Sequence, residues 1–140
     1  MGNDFVISVK SIQLVNRSSD EIQLVTSCKY KKEEDYTTIK YEEFDENTKV
    51  KTKSTITIDK LGLVTILREG ASFSKLILEK EKHHICNYAT EYGIIALGTF
   101  TKDIVCDLFE NGGTLKLYYS LDVNSTLLSE NIVIINLKRS

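Results

Sequence analysis

Alternation with a period of two runs through almost the whole chain, and no proline interrupts it. Successive side chains on an extended strand point to opposite faces, so this period marks strands with one face buried. Phe5, Ile7 and Val9 alternate with Val6, Ser8 and Lys10, and Ile22, Leu24, Thr26, Cys28 and Tyr30 alternate with more polar neighbours. The same pattern recurs at Ile56 and Ile58 and at Leu115, Leu117, Tyr119 and Leu121, while Ile132 to Ile135 is apolar on both faces. β-branched and aromatic residues dominate these windows, as strands favour. Missing proline suits a chain that is mostly paired strand, because each proline would remove a ladder donor.

Turn signals divide the runs: NRSSDE (Asn16 to Glu21), FDENT (Phe44 to Thr48), KLG (Lys60 to Gly62), EYG (Glu91 to Gly93) and ENGG (Glu110 to Gly113). Asn111-Gly112 is the strongest hairpin signal, since both residues tolerate positive φ. The sole helix candidate, Phe73 to Lys82, reads equally as a strand with a charged end. These runs predict about eight to ten antiparallel strands with short connections, and closing into a barrel best protects the edges of such a meander. The fold class expected is therefore all-β, a closed up-and-down barrel formed by a single domain over residues 1–140.

Composition narrows the function classes. The 18 basic and 20 acidic residues leave a net charge of −2, which is no coat for nucleic acid or anionic lipid. The opening MGNDFVISVK carries no long apolar run and is read as lacking a signal peptide, and no stretch reaches the ~18 apolar residues of a membrane helix. Cys28, Cys86 and Cys106 are too few and too scattered for a disulfide framework. A cytoplasmic location is expected. Asn16-Arg17-Ser18 and Asn124-Ser125-Thr126 match the glycosylation triplet, which is chance in such a protein.

Short motifs carry a family resemblance: YEE (Tyr41 to Glu43), REGA (Arg68 to Ala71), YATEYG (Tyr88 to Gly93), GTFTKDIVCDL (Gly98 to Leu108) and KLYYSL (Lys116 to Leu121). Together they resemble the uncharacterised bacterial calycin-like β-barrel proteins typified by YwiB. The resemblance covers nearly the whole chain. It implies a lipocalin-like closed barrel and no activity, the family being a domain of unknown function. Small apolar ligands in other calycin barrels are an analogy of fold, which does not decide function.

The candidate site gathers Tyr41, Glu43 and Arg68, with Tyr88 and Tyr119 as neighbours. Glu42 and Glu43 are adjacent, so on a strand one must point inward. Ile39, Tyr41 and Glu43 share one face, and Val64, Ile66 and Arg68 share another. Arginine inside a barrel can anchor a carboxylate or phosphate through its planar fork, with tyrosine hydroxyls completing the clamp. The simpler alternative is a Glu43–Arg68 pair that only neutralises itself. Leu63, Thr65 and Leu67 form an equally good inward face, which would leave Arg68 in solvent.

Other constellations point to less. His83, His84 and Cys86 are metal-ligand types, but only His84 and Cys86 can share a face, and two ligands make no zinc site. The histidine pair is read as an exposed polar turn, and Cys106, beside Asp103 and Asp107, as a buried inert thiol. Lys49, Lys51 and Lys53 form a stripe better read as a solvated face that discourages edge pairing than as a nucleic-acid track. No nucleophile elbow, phosphate loop, dinucleotide fingerprint or HExxH occurs, so no catalytic residue, metal or cofactor is expected, and an enzyme ranks last of three function classes. Two readings rank above it. One is a barrel holding a small amphipathic or anionic ligand. The other is a structural or interaction module, with a homodimer as one form of it, acting through an outer patch at Val133 and Ile135.

Overall fold

A computed structural model describes residues 5–140, so the Met1–Asp4 part of the opening segment lies outside the described residues. Ten strands follow one another: β1 (Phe5–Val15), β2 (Ser18–Lys32), β3 (Tyr36–Asp45), β4 (Val50–Asp59), β5 (Val64–Glu69), β6 (Phe73–Leu78), β7 (His83–Thr90), β8 (Gly93–Phe109), β9 (Gly112–Val123) and β10 (Thr126–Arg139). Each pairs antiparallel with its successor, and β10 returns to β1 through a ladder from Phe5 opposite Arg139 to Leu14 opposite Glu130. The result is a closed up-and-down barrel. The segment 73–82 is strand and not helix at its core: Ser74 and Leu78 are buried while Phe73 and Lys75 are exposed, which is the period-two pattern.

The expected turns fall between strands, and several are tighter than the polar runs suggest. Asn16, at φ 55°, turns the chain with Arg17 alone, so that Ser18 already belongs to β2. Asn124 and Ser125 both adopt positive φ, the backbone of a two-residue hairpin turn. At the β8–β9 turn Gly112 and Gly113 stand at φ 115° and 142°, and a Cβ on Gly113 would strike the Asp107 carbonyl. Only glycine fits there.

The two ends of the barrel differ. Ile7, Ile39, Ile56, Val64, Leu78, Leu115, Leu117 and Ile135 interlock toward one end, each no more than 2% exposed. That end is capped by Tyr30, whose hydroxyl donates to the Phe109 carbonyl at 2.6 Å and whose ring meets Phe5 edge-on at 5.0 Å. Toward the other end, ringed by the 15–18, 45–50, 69–73, 90–93 and 123–126 turns, the inward side chains become polar and looser.

Four expectations change. Val133 and Ile135 face inward, Ile135 only 1% exposed and Val133 packed on the core, so they form no outer patch. Their register partners explain this, because Leu117 and Leu115 opposite them are fully buried. His83 and His84 lie in β7 and not in a turn. Cys106 is exposed. It sits opposite buried Leu115, but β7 accompanies β8 only as far as Phe100, so this flank of β8 is uncovered. Lys49 lies in the β3–β4 turn at φ 60°, leaving Lys51 and Lys53 as the outward lysines of β4.

Candidate functional site

Register builds one transverse row inside the barrel. Tyr41 lies opposite Ser54, Ser54 opposite Arg68, Arg68 opposite Ser74, and Ser74 opposite Tyr88. Directly opposed residues share a face. Ser54 and Ser74 are 1% and 8% exposed, so the row turns inward. The Val64–Ile66–Arg68 face is thus the interior one. Arg68 is its last member and reaches the open end half-exposed.

There the guanidinium Nη2 donates to Glu43 Oε1 at 3.2 Å, a one-point contact rather than a fork. Both partners keep much of their surface in solvent, 49% for Arg68 and 37% for Glu43. Such a pair contributes little stability, and most of arginine's five N–H donors stay available. Tyr41 and Tyr119 lie within reach of the same charge. Burial pushes the Tyr41 hydroxyl above the ordinary phenol range. Ser54 and Arg68 oppose that shift, although no hydrogen bond of good geometry joins Tyr41 to Ser54. Burial pushes Tyr119 up to about 12, again against the pull of Arg68. Both phenols therefore stay neutral at physiological pH and can donate to an anion.

Tyr88 stands in the row, but its hydroxyl turns to Ser72 Oγ at 3.4 Å. The structure thus brings Tyr41, Glu43, Arg68 and Tyr119 into one electrostatic neighbourhood and leaves Tyr88 at its margin. Apolar side chains of inward parity lie on β2, β8 and β9. Leu24 lies opposite Val9, Leu97 opposite Cys86 and Leu121 opposite Thr99, and each of those partners is buried. All three leucines are partly exposed, and Ile95 is 45% exposed.

Several polar residues escaped the sequence reading. Ser54 and Thr101 each bury a hydroxyl with no hydrogen-bond partner. Ser54 was legible from its parity with Ile56 and Ile58. Thr101 was not, because a bulge between Thr101 and Asp103 shifts the register against β9 and changes which residues face inward. Asn131, across from Tyr119, donates to Ser129 Oγ at 3.1 Å.

The histidines are engaged elsewhere: His83 Nε2 lies 2.9 Å from Asp122 Oδ2, and His84 Nε2 lies 2.9 Å from Glu79 Oε1. Among the described residues no three His, Cys, Asp or Glu side chains gather as a metal would require. Among the described residues no helix is long and apolar enough to cross a membrane.

A family model described as "Domain of unknown function (DUF1934)" matches residues 7–135. Among solved structures, the ywiB protein from Bacillus subtilis is similar, with a TM-score of 0.85 and 22% sequence identity over 99% of this chain and 92% of that one. At that identity the likeness speaks for the barrel alone. No curated protein matches.

Proposed function

This chain belongs to the DUF1934 family, a domain of unknown function, and we propose that it is a binding barrel that takes a small amphipathic anion at its open end. Arg68 anchors the anionic head, and Tyr41 and Tyr119 donate to it. Glu43 holds the guanidinium in place until the ligand arrives. The apolar body rests on Leu24, Leu97 and Leu121. The observation that carries this reading is the half-exposed Arg68 at the end of the inward face of β5, held by one 3.2 Å contact, with partly exposed leucines of inward parity on β2, β8 and β9. Convergent polar groups beside apolar walls are the usual make-up of a small-ligand site. The packed far end limits the ligand to the upper half of the barrel. Three free thiols support a reducing compartment, the cytoplasm, as the place of work.

Native mass spectrometry before and after mild organic extraction, with the fluorescent amphipathic anion anilinonaphthalene sulfonate as added probe, tests this. The expected result is an adduct or probe complex that Arg68→Ala weakens at least about tenfold, as loss of a charged hydrogen bond predicts. Equal binding by both proteins, or none by either, overturns the proposal.

A further inference from the structure

Two ladders of the barrel are short, β6–β7 and β2–β3, and the gap at β2–β3 is lined by lysines. β2 and β3 are laddered at only four positions, from Lys29 opposite Lys40 to Lys32 opposite Thr37. Beyond them, the residues of β2 from Ser18 to Cys28 pair with β1 alone, and those of β3 from Tyr41 to Asp45 with β4 alone. The parted edges frame a cleft of about 500 Å³. Thr26, Cys28, Tyr41 and Ser54 line it from inward positions and Lys29, Lys40 and Lys53 from outward ones, with Glu42 and Glu69 at the rim.

Two features of this cleft are costly without an occupant. Lys29 and Lys40 are directly opposed across the last rung of the ladder, an arrangement of like charges that weakens strand pairing. Among the described residues neither has a carboxylate within ion-pair distance, nor does Lys53, while Glu42 is already engaged by Lys51 at 3.2 Å. Glu42 and Glu69 lie opposite Lys53 in register, so the lining carries a small positive excess, concentrated at Lys29 and Lys40. In the wall, Ser54 is 1% exposed and its hydroxyl has no partner. A buried unpaired hydroxyl is a penalty that an acceptor oxygen from a ligand would remove.

We propose that the seam between β2 and β3 is a lateral site for a phosphate-bearing small molecule, opening beside the mouth at Arg68 and sharing Tyr41 and Ser54 with its wall. Lys29, Lys40 and Lys53 neutralise the phosphate as point charges, and Ser54 donates to one of its oxygens. The volume exceeds what inorganic phosphate fills and lies in the range of small-molecule sites, so an organic body accompanies the phosphate.

Amide chemical-shift titrations of the full chain with phenyl phosphate and, separately, with inorganic pyrophosphate test the site and its source of phosphate. Saturable shifts confined to Ser27–Lys29, Lys40–Glu42 and Lys53–Thr55 are expected, tighter for phenyl phosphate. Lys40→Gln, on an exposed side chain, should raise the dissociation constant about tenfold, and Arg68→Gln should raise it clearly less. Tighter pyrophosphate binding would overturn the organic body while keeping the anion site. Loss of binding in Arg68→Gln but not in Lys40→Gln would overturn the seam and leave the mouth reading standing. Shifts that do not saturate and spread to Lys60, Lys80 and Lys116, or no shifts with either probe, overturn it outright.

Discussion

Thr99 and Thr101 lie on one strand, two residues apart, and both are 0% exposed, yet replacing each by valine should change stability in opposite directions. Valine keeps the shape of threonine and exchanges the hydroxyl for a methyl. At Thr99 the hydroxyl donates to the Ile77 carbonyl at 2.8 Å. Thr99→Val removes that bond and should destabilise the protein by about 1 kcal/mol. At Thr101 the hydroxyl is buried without a partner, and its desolvation is a standing cost of about 1–3 kcal/mol. Thr101→Val removes this cost, and after allowance for imperfect methyl packing a gain of about 1–2 kcal/mol is expected. At about 4 °C per kcal/mol for a chain of this size, the two melting temperatures should separate by roughly 8–12 °C. Urea unfolding at 25 °C with unchanged m-values is the assay. A stability loss in Thr101→Val, or the same sign for both variants, would refute the claim that the Thr101 hydroxyl is unpaired.

Three further outcomes follow from the site and the fold. Arg68→Ala should cost less than about 1 kcal/mol in urea unfolding, because its pair with Glu43 is half-exposed and one-pointed; a larger loss would make Arg68 a structural residue. The Tyr119 phenol, pushed up to about 12, binds its proton more tightly when folded than the ordinary value of about 10 allows when unfolded. Its contribution of about 2–3 kcal/mol is complete below pH 10 and is lost as pH rises from 10 toward 12, so alkaline unfolding should flatten in Tyr119→Phe. Gly113→Ala should destabilise by more than about 2 kcal/mol, since the φ of 142° and the Asp107 carbonyl both exclude a Cβ; a melting scan within a few degrees of the parent would contradict this.

How much of this was legible depended on whether period-two parity held locally. It held along β5, so the placement of Arg68 became certain once Val64 and Ile66 were seen opposite buried Ile58 and Ile56. It held along β4 too, where Ser54 shares the parity of Ile56. In β8 it failed, because the bulge after Thr101 inserts Lys102 without a partner and changes the inward set. Cys106 was misread because a sequence does not reveal where a neighbouring strand stops. The β2–β3 seam was hidden for the same reason: β2 spans 15 residues, but nothing in its letters limits its ladder with β3 to four. Val133 and Ile135 were misplaced because Ile132 to Ile135 is apolar throughout, which leaves the choice of face to the partner strand.

Every neighbouring pair in the barrel is a local hairpin except one, the closure of β1 against β10. Local hairpins form fast, whereas bringing Phe5 to Arg139 means closing nearly the whole chain into a loop. On the ribosome, β1 must therefore wait for β10 to emerge, with one edge bare and able to pair with the same edge of another chain. With no proline in the sequence, isomerisation of an X-Pro bond cannot set the slow step. Refolding should instead be limited by this final seam, and crowding during synthesis should favour exchange of β10 between two copies over precipitation of a collapsed chain.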